Sequence, residues 1–267
     1  MIASDLDGTL LRSDSTVSPR TRAAIVAAEE AGLVIAFVTG RPPRWLHEIA
    51  DATGHSGVAA SANGALIYDL HSETTVSEHP LLPERMHELT SELRDAFPRV
   101  RFAVEYGLEF AYEPGYIHDW EISPLVDRQG RPSPAPVEGS LADIIARPGV
   151  KLLAKDREAS ADDFLAAGGQ LIDGRASVTH SSSIGLLEIA APGVTKATGL
   201  AEIAAAHGID ADEIVAIGDM PNDVSMLKWA GTSYAVANAH PLAKAAADHV
   251  VGSNDEDAVA LLIEQFL

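Results

Sequence analysis

Short apolar runs that end in turn residues alternate with longer segments of helical period over both ends of this chain. The run "LVIAFV" (residues 33–38) is continuous and is followed at once by "TG", the pattern of a strand buried on both faces. A helix is predicted ahead of it, with Ser18 as N-cap, Pro19 at the first helical position and Gly32 as the stop. "RPPRWLHEIADATG" predicts a second helix over residues 43–53, closed by Gly54. "GVAAS" and "ALIYD" read as strands on either side of a tight turn at Asn63 and Gly64, and a short first strand ends at Asp5. The rhythm resumes near the other end with the Ala-rich helix "TKATGLAEIAAAHG", stopped by Gly208, and the buried strand "EIVAIGD", ending at Asp219. "DVSMLKWA", "TSYAVA", "PLAKAAA" and "DHVV" follow as helix, strand, helix and strand, and "NDEDAVALLIEQFL" as a last helix with Asn254 as N-cap.

The middle has a different texture. "PERMHELTSELRDAF" reads as a helix and "RFAVEYGLEFAY" as alternating strands. A Pro/Gly-rich stretch covers residues 127–148, and "VKLLAKD", "GQLIDG", "SVTHSS" and "GLLEIA" come after it. The expected fold class is therefore α/β, a doubly wound parallel-sheet core. Residues 1–80 and 190–267 would form that core, with a smaller α+β unit, residues 81–189, inserted between its halves.

Composition narrows the setting. The chain has 267 residues, is 46% hydrophobic and lacks cysteine, which excludes a disulfide framework, a thiolate nucleophile and a thiolate metal site. No apolar run is long enough to span a bilayer and no secretion signal is visible, so a cytoplasmic location is expected. The formal charge of -20 repels nucleic acid and anionic lipid, so neither is an expected partner. An anionic substrate would need local positive charge at its site.

Candidate chemistry sits at the predicted strand ends. Asp5 and Asp7 in "SDLDGTLL" close the first strand, and Asp219 in "AIGDMPND" closes a later one. Carboxyl ends of parallel strands are where open sheets bind ligands. Carboxylates gathered there repel one another unless a hard cation intervenes, and oxygen donors favour Mg2+. A calcium loop does not fit, because aligning Gly8 with its glycine puts Ala3 at the first ligand position. Thr39 and Gly40 in "FVTGR" suit a phosphate oxygen. Lys196, one of five lysines, opens a helix where the dipole disfavours a cation, as a group offsetting phosphate charge would. Asn222 is placed to donate to a phosphate, and Asp223 to ligate the metal or to orient its waters. Each of these motifs alone also fits a turn, a cap or a surface charge.

Together and in order, "DLDGTLL", "VTGR", Lys196 and "GDMPND" make the chain resemble the haloacid dehalogenase superfamily of aspartate-nucleophile phosphatases. "SANGALIYD", "LLEIAAPGVTKATGL" and the segment from "YAVANAHPLAKAAADHVV" onward resemble its Cof-like branch. The resemblance implies a Mg-dependent phosphomonoester hydrolase acting on a small phosphorylated metabolite, such as a sugar phosphate. Asp5 would be the nucleophile and Asp7 the acid and base, with Asp7 reaching the metal by its backbone carbonyl. Asp5 and Asp219 would ligate the metal by their carboxylates, and Thr39, Gly40, Lys196 and Asn222 would hold the phosphoryl group. The inserted unit would cap the site and choose the leaving group, with Tyr112, His118, Trp120, Arg175 and His180 as candidate selectors. A phosphomutase, a non-catalytic phosphate sensor and a dehalogenase are the alternatives, and a monomer or homodimer is expected. Ala3 and Ser4 stand where the family carries bulkier residues, which makes a short, lightly packed first strand.

Overall fold

The structure, a computed structural model, describes residues 1–117, 133–182 and 184–267. In chain order it contains β1 (Ile2–Ser4), α1 (Pro19–Glu30), β2 (Ile35–Val38), α2 (His47–Thr53), β3 (Val58–Ser61), β4 (Leu66–Asp69) and β5 (Thr74–Glu78). Then come α3 (Pro83–Ala96), β6 (Arg101–Tyr106), β7 (Glu109–Tyr112), β8 (Val137–Glu138), α4 (Leu141–Ile144), β9 (Lys151–Ser160), α5 (Ala161–Ile172), β10 (Ser177–Thr179) and β11 (Ile184–Ala190). The last elements are α6 (Lys196–His207), β12 (Val215–Gly218), α7 (Val224–Trp229), β13 (Thr232–Ala235), α8 (Pro241–Ala246), β14 (His249–Val250) and α9 (Ala258–Ile263). The chain divides into two compact units. One comprises Met1–Arg41, Trp45–Ser77 and Thr195–Leu267, and the other Pro42–Arg44 and Glu78–Val194.

The first unit is built on one sheet of strand order β14-β13-β12-β1-β2-β3-β4-β5. Pairing is parallel from β14 through β3, and β3 turns back antiparallel onto β4. The chain leaves β1 for β2 on one side and later returns to β12 on the other, so strand order reverses beside β1. Small side chains suit β1 in this central place. Ala3 and Ser4 are 0% and 2% exposed, wedged between β12 and β2, whose Phe37 is itself fully buried. Burying one such ring contributes about 2–3 kcal/mol. Ser18 caps α1 as expected, accepting from the Thr21 N–H, and Gly54 and Gly208 close α2 and α6 with left-handed φ.

Two segments depart from the expected pattern. The helix predicted from Pro43 begins only at His47, because Pro43–Trp45 is a separate 3-10 turn. Arg44 in that turn donates to both carboxylate oxygens of Glu105, and Pro42–Arg44 belongs with the second unit. The terminal helix is broken as well. Asn254–Glu256 forms a 3-10 turn closed by Ser253 and Glu256, Asp257 takes φ 58, and α9 starts after it. Asn254 is not the N-cap of a long helix, since its side-chain amide donates to the Leu11 carbonyl at 3.0 Å. Long-range hydrogen bonds override local propensity there.

The second unit is a six-stranded sheet of order β10-β11-β9-β6-β7-β8, antiparallel except between β7 and β8. Strand alternation gives it two unlike faces. Phe102, Val104, Leu152, Leu187 and Ile189 pack against Met86, Leu89 and Leu93 of α3 and Phe164 of α5. The other face carries Ala103, Phe110 and Leu153 beside buried Glu105, Lys151 and Glu188. The segment "GQLIDG" finishes helix α5, which had no assignment in the sequence. Its paired glycines obscure the helical signal, yet Gly168 is required by packing, since a Cβ there would lie 2.5 Å from Leu187 Cδ1.

Candidate active site

Asp5, Thr39 and Asp219 each follow the last residue or two of adjacent parallel strands, β1, β2 and β12. The Asp5 N–H donates to the Ile217 carbonyl at 3.0 Å, which extends the ladder to the carboxylate-bearing residue. Neighbouring strands lie about 4.8 Å apart, so the three side chains emerge together where strand order reverses. The turn after Asp5 is shaped by Gly8 at φ 74; a Cβ there would lie 2.4 Å from Asp219 Oδ2. The next residue, Thr9, donates from Oγ1 to Asp219 Oδ1 at 3.0 Å.

Lys196, the first residue of α6, is 1% exposed, and its ammonium donates to Asp5 Oδ1 at 2.6 Å and Asp223 Oδ1 at 2.5 Å. The other oxygen of Asp223 accepts the backbone N–H groups of Asp219 and Met220 at 2.9 and 2.8 Å. Asp223 thus shapes the end of β12 and holds the ammonium in place. Oxygens of Asp5, Asp219 and Asp223 lie within 4.8 Å of one another, and all three residues are buried.

Three buried carboxylates share a single ammonium, and the electrostatics show the imbalance. Burial pushes Asp219 up to about 7, reinforced by Asp223 and only partly opposed by Lys196 and Thr9. Burial also raises Asp5 well above the usual carboxylate range; Lys196 opposes it, and Asp223, Asp219 and Asp7 add to it. Burial by itself disfavours the charged Lys196, but Asp223 and Asp5 outweigh it and hold the ammonium protonated. A cluster of hard oxygens with uncompensated negative charge has the donor chemistry of a Mg2+ site. The residues present therefore fit the expected ion, with Asp5, Asp219 and Asp223 as the candidate carboxylate ligands.

Asp7 is placed differently. Its carboxylate, 57% exposed, lies outside the three-carboxylate cluster and accepts from Arg41 Nε at 2.7 Å and Nη2 at 2.6 Å. Burial works against the Arg41 charge, and the bidentate bond to Asp7 outweighs it and raises its pKa. Thr39 is fully buried, and its hydroxyl accepts the Arg41 N–H at 3.0 Å, while Gly40 lies between the two. Asn222 is buried in the 3-10 turn after β12 and donates from Nδ2 to Asn63 Oδ1 at 3.0 Å. Thr9 and Arg41 lie inside the motifs "DLDGTLL" and "VTGR" and Asn63 in the predicted turn, yet no local pattern assigns any of them a part in the site.

The second-unit candidates divide. Arg175 donates to Glu88, Glu92 and the Leu171 carbonyl, and His180 contacts Asp162 and the Ser182 carbonyl at 3.0 Å each. Those contacts stabilise the unit itself. Tyr112 is half-buried and stacks on Phe110, with ring centroids 6.0 Å apart. His118 and Trp120 lie outside the described residues.

Acidic groups gathered where strand order reverses in a doubly wound sheet lie where such sheets bind their ligands. Residues 2–263 match the haloacid dehalogenase-like hydrolase family, and the chain belongs to that family as an enzyme of its Cof-like branch. It is 29% identical to the pyridoxal phosphate phosphatase YbhA of Escherichia coli, over 100% of this chain and 98% of that one. It is 28% identical to the 5-amino-6-(5-phospho-D-ribitylamino)uracil phosphatase YcsE of Bacillus subtilis, over 100% and 95%. The crystal structure of SMU.1108c from Streptococcus mutans superposes with a TM-score of 0.85 at 24% identity, covering 99% of this chain and 97% of that one. No helix among the described residues is long and apolar enough to cross a membrane.

Proposed function

We propose that the protein is a Mg2+-dependent phosphomonoesterase acting on a small phosphorylated metabolite through an aspartyl-phosphate on Asp5. The observation that carries this is the ion pair of Lys196 with Asp5 at 2.6 Å, inside a cluster of three buried carboxylates. The ammonium holds one oxygen of Asp5 in place. Asp5 attacks phosphorus, the bond to the ester oxygen breaks, and Asp7 gives that oxygen its proton. A water then attacks the aspartyl-phosphate, Asp7 takes up the water's proton, and inorganic phosphate leaves with Asp5 restored. Thr39, the Gly40 amide, Lys196 and Asn222 hold the phosphoryl oxygens, and this positioning does most of the work in phosphoryl transfer. Asp5 and Asp219 would hold Mg2+ by their carboxylates and Asp7 by its backbone carbonyl, with Asp223 as a further ligand or a partner of its waters, and the ion would supply positive charge to the transferred group.

We assign choice of the leaving group to the second unit. The relatives named for pyridoxal phosphate and for a ribitylaminouracil phosphate favour a primary phosphate carried on a heterocyclic compound; a sugar phosphate is the other candidate class. The test is a panel of such esters assayed with Mg2+ and with a chelator. Hydrolysis is expected with Mg2+ only. Asp5→Asn is expected to lower turnover by at least about 10^4-fold while phosphate binding persists. Turnover that survives either treatment overturns the proposal.

A further inference from the structure

A short turn between β3 and β4 touches three separate parts of the candidate site. Ala62, Asn63 and Gly64 have φ 50, 61 and 88, three left-handed residues in succession. Such a conformation is unfavourable for alanine, tolerated by asparagine and natural to glycine. What holds it is a set of bonds to the loop that carries Thr39 and Gly40. The Asn63 N–H donates to the Thr39 carbonyl at 2.9 Å, and the Ala62 N–H and the Ser61 hydroxyl donate to the Arg41 carbonyl at 3.0 and 2.6 Å. Gly64 lies against the start of α6, where a Cβ would meet the Thr195 carbonyl at 2.2 Å, one residue before Lys196. The third contact is the buried bond from Asn222 Nδ2 to Asn63 Oδ1. Among the described residues, the Asn222 carbonyl oxygen is buried with no hydrogen-bond partner.

We infer that Asn63 is a positioning residue, whose side chain fixes the plane of the Asn222 amide and so aims its remaining groups at a bound ligand. The inference rests on the proposed phosphatase function, in which Asn222 holds a phosphoryl oxygen. An amide pinned by one N–H has its second N–H and its carbonyl fixed in direction, because all lie in one plane. A buried acceptor without a donor is costly, so the Asn222 oxygen awaits a proton donor that a ligand or its water supplies. Asn63 itself touches neither substrate nor ion. It acts through Asn222.

The backbone and side-chain roles of Asn63 separate by substitution. Asn63→Gly keeps the left-handed turn and removes the side chain that accepts from Asn222; Asn63→Ala removes it and strains the turn. Both are expected to raise KM about tenfold, with kcat within about twofold of wild type, because the lost interaction is made in ground and transition states alike. Asn63→Ala is expected to lower Tm, and Asn63→Gly is not. In an Asn222→Ala background, Asn63→Gly is expected to add nothing, since the residue it acts through is gone. The same four proteins of this cycle, titrated with inorganic phosphate in the presence of Mg2+, are expected to show the same coupling in Kd. Independent losses that multiply in the double variant overturn the inference, as does an unchanged KM in Asn63→Gly. A wild-type protein that hydrolyses no phosphomonoester but shows the coupling in phosphate Kd overturns the proposed function and leaves this inference standing. Hydrolysis with multiplying losses does the reverse.

Discussion

Both units bury charge, and they do so in opposite ways. In the second unit Glu105 is matched by Arg44 and Glu188 by Lys151, each pair nearly excluded from solvent. Among the described residues of the first unit, Asp5, Asp219 and Asp223 gather around one buried ammonium, that of Lys196. Matched pairs satisfy themselves and hold a sheet face together. The unmatched cluster gathers more carboxylates than cations, which fits the cation site proposed above. On the proposed function, the Arg44–Glu105 and Lys151–Glu188 pairs are structural and the three-carboxylate cluster is arranged for chemistry.

Substitutions can break this contrast at either end. The largest effect on stability is expected for Lys196→Met, which leaves Asp5 and Asp223 buried without their ammonium. A loss of about 3–5 kcal/mol is expected in urea unfolding without divalent cation. Added Mg2+ is expected to recover part of it, since the ion takes up charge in the same cluster. No such recovery is expected for Lys151→Met, because Glu188 is not one of the three carboxylates gathered in the cluster.

A second effect follows from Asp219. Its pKa rises from 3.8 toward about 7 on folding, mainly through burial. Between those values the native state holds a proton that the unfolded chain has released. The stabilisation is therefore full below 3.8 and is lost as pH rises toward about 7. Without divalent cation, Tm is expected to fall as pH rises across this window, and added Mg2+ to raise Tm most at its upper end. A metal-free Tm that climbs across the window contradicts the charge imbalance. The smallest effect is expected when both members of a matched pair are replaced. Lys151→Met with Glu188→Leu should change unfolding stability by no more than about 1 kcal/mol, where Lys151→Met alone costs about 3. A double variant as unstable as the single one would show that the second unit's pairs are not merely structural.

The strand-end aspartates were legible because each closes an apolar run, and the end of such a run marks the end of a buried strand. Asp5, Thr39 and Asp219 are thus placed by the sequence at the carboxyl ends of parallel strands. Lys196 was legible from its unfavourable place at a helix start. What could not be seen were partners chosen by tertiary contact. The Arg41 bond to Asp7, the Thr9 bond to Asp219 and the Asn63 bond to Asn222 span 34, 210 and 159 residues. No local period encodes such separations. Asn63 was hidden further by its own turn chemistry, which explained Asn-Gly well enough to leave nothing unaccounted for. The same limit applies to Asn254, whose helix-capping pattern gave way to a bond with the Leu11 carbonyl, and to α5, whose Gly168 is dictated by Leu187 on a neighbouring strand.

Calorimetric titration of Mg2+ into the wild-type protein and into Asp219→Asn at neutral pH tests the cation site most directly. One saturable site is expected in the wild type, weakened by about 100-fold or more in the variant, which keeps the size of the side chain but removes its charge. Equal affinity in the two proteins, or no binding to the wild type, would contradict the assignment of the three-carboxylate cluster to a metal.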